Sequence, residues 1–301
     1  MVKIGAIFPQ LEIAADPGTV RAWALAVEEM GFDHIVAYDH VVGADTSNKA
    51  NDPRMQKWPP GHYTYRELFH EPLVLFGFLA GVTEKVELAT GILILPQRQT
   101  TLVAKQAAEI QILSNNRLRL GIGIGYNHLE FEALGVPFKQ RGDRMAEQVD
   151  VLRQLWSNEL VDIHAREHQF SGVGLNPLPE KPIPIWMGAT SEIGLRRVAK
   201  QADGWICPGG ALSPAVQGWL GMLEQALRQA PPRRTPLGID GRLDMRYRPL
   251  DELAREAARW RELGATHISV NTMAPYDRRS EQLSLDEHLE LLRQALAFIE
   301  Q

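Results

Sequence analysis

The sequence predicts an α/β fold, a (β/α)8 TIM barrel, on three observations. Eight short apolar runs alternate with eight amphipathic stretches; the alternation fills 301 residues end to end; and several helical stretches close on glycine just before the next apolar run. A doubly wound parallel sheet is the second architecture that such alternation allows. No recurring 20–50-residue repeat and no low-complexity segment divides the chain, so residues 1–301 are expected to form one domain.

The first run, near 2–8, is apolar apart from Lys3, and the helical pattern near 18–30 follows it, ending Glu28-Glu29-Met30-Gly31 with glycine in the capping position. A second strand near 33–38 runs into Tyr38-Asp39-His40. Residues 39–71 then lose all periodicity, with Trp58-Pro59-Pro60-Gly61-His62-Tyr63 among them. Loops that follow barrel strands emerge on the catalytic face, so this aromatic-rich insertion after strand 2 reads as a lid over a pocket, or as a disordered excursion. The helix near 72–82 carries Leu73, Val74, Leu75, Phe76, Phe78 and Leu79, more apolar residues than one buried face needs, which suggests a subunit contact and a homodimer; core burial explains them equally.

The third strand, near 86–94, is interrupted by Thr90-Gly91, the mark of a bulge or of close approach by another group. A helix near 100–113 leads to the fourth strand near 117–123, where Gly121, Gly123 and Gly125 stand at every second position before Tyr126. Side chains alternate along a strand, so one face is stripped bare as the strand ends, where a flat or phosphorylated ligand could approach the backbone; thinning for close packing is the plainer reading. The helix near 141–156 precedes a second insertion, before strand 5, near 157–181. Strands near 182–187, 203–207, 237–245 and 266–271 then alternate with helices near 191–201, 214–229, 250–263 and 285–299.

Composition narrows the function. The formal charge is −5 and no basic run of five or six residues appears, which argues against nucleic acid or an anionic membrane as partner and for a small-molecule substrate. Cys207 is the single cysteine, as suits a reducing compartment, and no 18-residue apolar run or leader-like segment occurs, so a cytoplasmic location is expected. His164 and His168 have helical spacing without the glutamate of a zinc protease, and no other histidine pattern favours a metal. Neither a P-loop nor a Gly-x-Ser-x-Gly elbow is present, and Tyr126 stands where a dinucleotide fingerprint needs glycine.

Two strand ends carry chemistry. His40 can exchange a proton near neutral pH, and Asp39-His40 sits where barrel enzymes keep their working groups; a histidine that merely packs is the ordinary alternative. After strand 5, Gly188-Ala189-Thr190-Ser191 precedes a helix, so that Thr190 or Ser191 can cap it, with or without a phosphate on the free N–H groups.

Taken in order, several segments resemble the luciferase-like monooxygenase superfamily, and within it the deazaflavin (coenzyme F-420, or F420) dependent oxidoreductases. They are Asp39-His40, the run from Ala89 to Pro96, Ala104-Lys105-Gln106-Ala107-Ala108, Leu120 to Tyr126 with Glu130-Phe131, Arg141-Gly142-Asp143-Arg144, Met187-Gly188-Ala189 and Ala202-Asp203-Gly204-Trp205. The resemblance implies a cofactor ring at the C-terminal mouth of the barrel, against Asp39, Thr90, Gly91, Ile92 and Gly123. Its phosphate would lie near Gly125, Tyr126, Gly188, Ala189, Thr190 and Ser191. It also implies a non-prolyl cis peptide in the strand-3 bulge, here Gly91–Ile92, and hydride transfer with His40 handling the accompanying proton. Tyr126 and Ala189 depart from the family, where tryptophan and glycine are frequent. The resemblance leaves open an FMN-dependent monooxygenase and a noncatalytic flavin-binding protein.

Overall fold

The computed structural model describes residues 2–13, 15–47, 51–58, 62–275, 278 and 280–299. The elements are, in order, β1 (Lys3–Ile7), α1 (Gln10–Ile13), α2 (Pro17–Glu29), β2 (His34–Ala37), α3 (Pro72–Val82), β3 (Glu87–Thr90), β4 (Leu93–Ile94) and α4 (Thr100–Leu113). β5 (Leu118–Gly123), α5 (His128–Ala133), α6 (Arg141–Ser157), β6 (Val161–His164), β7 (Gln169–Val173), β8 (Ile185–Gly188) and α7 (Glu192–Gln201) follow. The chain ends with β9 (Gly204–Ile206), α8 (Pro214–Gln229), β10 (Gly238–Asp244), α9 (Leu250–Glu262), β11 (His267–Asn271) and α10 (Leu285–Ile299).

The sheet closes on itself through parallel pairings alone. β1 pairs with β2 and β11, β2 with β3, β3 with β5, β5 with β8, and β8, β9, β10 and β11 follow in order. β3 and β4 are two halves of one barrel strand, separated at Gly91 and Ile92, whose peptide bond is cis as the resemblance implied. Local chemistry explains why the helices begin and end where they do. Asp16 caps α2 by accepting the Thr19 N–H at 2.7 Å, Pro17 sits in the first turn, and Gly31 ends the segment at φ +88°. Trp23, Trp205 and Trp260, all fully buried, belong to the core formed as the helices pack on the barrel.

The second insertion contains an ordered antiparallel hairpin, β6–β7. His168, in its turn, bridges the Thr100 hydroxyl at 2.6 Å and the Glu147 carboxylate at 2.7 Å, tying the hairpin to α4 and α6. Periodicity gave no warning of α1 or α5, because four and six residues are too few to display it. Among the described residues no helix is long and apolar enough to cross a membrane, and no group of three or more His, Cys, Asp or Glu could hold a metal ion.

The lower barrel is filled by a polar plug. Arg119, 1% exposed, reaches Glu87 and, at 2.8 Å, Asp240; the Ser269 hydroxyl donates to Asp240 at 2.7 Å and contacts the His34 ring at 2.9 Å. Burial, then the charges of Arg119, His267 and Lys3, hold His34 well below the usual histidine range. Burial, then Arg119 and Lys3, bring His267 down to about 3. Unfolded histidines titrate near 6.5, so the unfolded chain binds more protons below that value. Stability is therefore full above about pH 6.5 and is lost as the pH falls toward about 3. Between about pH 6 and 5, His267→Phe should flatten the slope of unfolding free energy against pH by up to about 1.4 kcal/mol per pH unit. Urea melts across that interval check it, and an unchanged slope would remove His267 from the acid response.

Candidate active site

His40 leaves the end of β2 and is half-buried at the C-terminal mouth of the barrel. Tyr63 stacks on its ring with centroids 3.5 Å apart, and Phe69 meets the same ring edge-on at 4.8 Å. Its Nδ1 faces Glu130 Oε2 at 3.4 Å. Glu130 lies on α5 and is fully buried, and it accepts the Val41 N–H and, at 2.9 Å, the Tyr63 hydroxyl. Asn127, the cap of α5, donates to the same Tyr63 oxygen at 2.6 Å. Burial pushes the Glu130 carboxyl up, but the hydrogen bond and charge of His40 with the Val41 and Tyr63 donors outweigh it, and the net position is below the usual carboxylate range.

Asp39 points into the wall. One carboxylate oxygen accepts the Ile94 N–H at 2.8 Å and the other meets Arg98 at 2.7 Å, and Arg98 in turn pairs with Glu71 at 2.7 Å. Burial raises Asp39, with Arg98 and the Ile94 N–H opposing it. The carboxylate expected at the ring edge is thus spent holding the strand-3 break in place. Thr90 is fully buried as well, its hydroxyl donating to the Gly121 carbonyl at 2.6 Å.

The alternating glycines differ from the expectation of bare main chain. A Cβ added at Gly121 would fall 1.9 Å from the Thr90 carbonyl oxygen, one at Gly123 2.6 Å from Ile92 Cδ1, and one at Gly125 2.7 Å from Ile94 Cγ2. Glycine is needed there so that the bulged third strand can press against β5, which is the close-packing reading. Asp39, Thr90 and Gly123 therefore lie within the wall. Gly91, Ile92, Gly125, Tyr126, Gly188 and Ala189 are half-buried around the mouth, and Thr190 and Ser191 are exposed at its rim. Ser191 caps α7 by accepting the Gly194 N–H at 3.2 Å, and Trp205 Nε1 holds the Ala189 carbonyl at 2.9 Å.

Described residues of the first insertion pack against the start of α5. Trp58 packs edge-on against Tyr126 and His128 at 5.8 and 5.6 Å, in a small apolar cluster with Ala44 and Met55. Arg54 reaches Glu132 at 2.6 Å. Pro59, Pro60 and Gly61 of the expected lid lie outside the described residues. A recess of about 730 Å³ shares none of these residues; Arg246, Tyr247, Arg248, Glu287 and Glu290 are among those lining it.

Sequence reasoning missed Glu130, Tyr63, Arg98 and Arg141 as members of the site. Arg141 donates to the Gly125 carbonyl at 3.0 Å and to the Phe138 carbonyl at 3.4 Å and lies over the Phe138 ring at 3.8 Å, and among the described residues no carboxylate acts on it. Burial alone lowers its pKa, the condition of a cation lacking a counter-charge. Glu130 is separated from His40 by 90 positions, so its only trace in the sequence is its place beside Phe131 after the glycine-rich strand.

The family model described as luciferase-like monooxygenase matches residues 6–297. An uncharacterised protein of Mycobacterium tuberculosis is 32% identical over 189 residues, 62% of this chain and 64% of the relative, so the chain spans just under two thirds of that relative's length. An F420-dependent glucose-6-phosphate dehydrogenase of Gordonia bronchialis is 26% identical over 287 residues, 90% of this chain and 78% of the relative. Among solved structures, a monooxygenase from Streptomyces bottropensis superposes with a TM-score of 0.74 at 18% identity, covering 98% of this chain and 99% of the other. An F420-dependent secondary alcohol dehydrogenase bound to an F420-acetone adduct does so with a TM-score of 0.74 at 14% identity, covering 99% of each chain. At these identities the structural likeness establishes the shared barrel.

Proposed function

We propose, on the premise that the chain belongs to the luciferase-like monooxygenase family, that it is an oxidoreductase working with coenzyme F-420 on a small organic substrate. The observation that carries the reading is His40 at the barrel mouth just past β2, the strand whose end pairs with β3 immediately before the half-exposed Gly91–Ile92 bulge. Asp39 links the two, since its carboxylate grips the Ile94 N–H while its chain neighbour is His40 itself.

The residues present fit a flat ring with an anionic tail. Ile92 offers an apolar platform, its side chain filling the space that Gly123 leaves and lying against Gly188. Gly125, Gly188 and Ala189, with the capped start of α7 and the Arg141 guanidinium, on which no carboxylate acts among the described residues, suit a phosphate. Deazaflavin, when bound, gives or takes a hydride. His40 then supplies or removes the proton that must move with it, and Tyr63 and Phe69 restrict its ring to one plane. A lid that includes Trp58 keeps water from the mouth when closed.

Equilibrium binding of both cofactors tests the reading. Saturable binding of deazaflavin with FMN weaker is the expected result, and tight FMN binding without measurable deazaflavin binding would overturn it in favour of an FMN-dependent monooxygenase.

Assembly as a homodimer is part of the proposal. α3 contains no charged residue, and its outward positions Val74, Gly77, Phe78 and Gly81 recur at the spacing of one helix face. Val74 is 69% and Phe78 41% exposed, and a Cβ added at either glycine meets nothing within 4 Å. An uncharged stripe with room for close approach suits the same helix of a second copy. Sedimentation should give twice the 33.7 kDa chain mass and, for Val74→Lys, the monomer mass. A monomeric wild-type protein would reject the dimer.

A further inference from the structure

Glu130 is an unusual carboxylate. It is fully buried, yet among the described residues its one ion-pair partner is His40; no arginine or lysine neutralises it. Isolated buried charge is costly, so such a group persists only where hydrogen bonds and a counter-charge are built around it. All three of its donors come from the segment that carries His40 or covers it: the Val41 N–H, the Tyr63 hydroxyl and His40 Nδ1. Asn127 fixes the Tyr63 oxygen from the other side and caps the helix that bears Glu130, so the carboxylate cannot turn away without breaking the cap region. Three rings also pack on the imidazole, Tyr63 across its face and Phe69 and Tyr126 at its edge, and the Tyr63 hydroxyl is itself turned to the Glu130 carboxylate. Asp39, the nearest other acid in the chain, is committed to Arg98 and the Ile94 N–H.

We infer that Glu130 is the positioning residue of this site, directing the Nδ1–H of His40 at its own carboxylate and so leaving Nε2 as the nitrogen that gives or takes the catalytic proton at the mouth. An ionised carboxylate can only accept, so the ring nitrogen facing it must be the donor, and the lone pair is left on the other nitrogen. His40 is thereby set to take a proton from a substrate hydroxyl when the substrate is oxidised and to return it in the reverse direction. Tyr63 completes the clamp by bonding to the carboxylate with its hydroxyl and stacking on the imidazole with its ring. The role rests on the reading of His40 as the proton-handling group.

The test uses the full chain without cofactor, labelled with 15N-histidine, and His40 is assigned by comparison with His40→Gln. In the wild type with the ring neutral, the two ring nitrogens should give the chemical shifts of the Nδ1–H tautomer. Glu130→Gln, which keeps shape and loses charge, should move the population toward Nε2–H; Tyr63→Phe should leave the tautomer in place. A wild-type His40 in the Nε2–H form, or a Glu130→Gln spectrum identical to wild type, overturns the assignment, and the wild-type arm stands even where Glu130→Gln folds poorly. With turnover in hand, Glu130→Gln should lower kcat roughly 10²-fold with KM little changed, and Glu130→Asp should restore part of it. Failure of deazaflavin to bind would reject the proposed function while leaving the tautomer result untouched, so the two failures are distinct.

Discussion

Replacing His40 by alanine is expected to lower turnover by about 10²–10⁴-fold while leaving cofactor affinity close to that of the wild type. The split follows from where the side chain stands. His40 touches Tyr63, Phe69 and Glu130, and none of the half-exposed groups that suit ring or phosphate depends on it for position: the bulge is held by Asp39 and Thr90, and the start of α7 by Ser191. Loss of the imidazole removes the proton acceptor and leaves the platform. The alanine variant also strands the buried Glu130 carboxylate without its ion-pair partner, so a fall in melting temperature should accompany the loss of rate. His40→Gln, which retains a polar group in the same volume, separates the two effects: stability should recover and turnover should not. Single-turnover rates and equilibrium cofactor binding on both variants decide the matter. Wild-type turnover in either variant would take His40 out of the chemistry.

The barrel was readable because its units are long and its period simple. Helices such as α4, α6 and α8 cover three or more turns, and each lies within a residue or two of its expected bounds. The cap residues also acted as expected, Gly31 and Gly264 both adopting positive φ. What stayed hidden was side-chain commitment. Asp39 and His40 stand side by side in the chain, but the strand direction sends one into the wall, to Arg98 and Ile94, and the other to the mouth. Nothing in the sequence distinguishes glycines that receive a ligand from those that receive Thr90, Ile92 and Ile94. Glu130 illustrates the same limit, since a partner 90 residues away is set by closure of the barrel, after every local rule has been applied.

The largest loss of stability is expected from Arg119→Met, about 3–5 kcal/mol at neutral pH. Arg119 sits at the centre of the plug beneath the mouth, between Glu87 and Asp240, with its guanidinium 4.6 Å from the Trp186 ring centroid. Burial works against its charge, and Glu87 and Asp240 more than restore it, so it stays above the ordinary arginine value. Methionine fills much of the same volume and keeps contact with Trp186, so packing contributes little to the expected loss. The cost arises because Asp240, whose side chain is 4% exposed, then has, among the described residues, the Ser269 hydroxyl and a His34 ring 3.7 Å away. Burial, the largest cause that holds His34 below the usual histidine range, remains when Arg119 is removed and opposes a counter-charge there. Adding Asp240→Asn to Arg119→Met should then return more than half of the loss, because the deeply buried charge is gone, Glu87 keeps a side chain 24% exposed, and the amide oxygen still accepts from Ser269. Urea unfolding of the two single variants and the double gives the coupling directly. A cost below about 1 kcal/mol for Arg119→Met, or a double variant no more stable than the single, would show that the plug is held by packing rather than by charge.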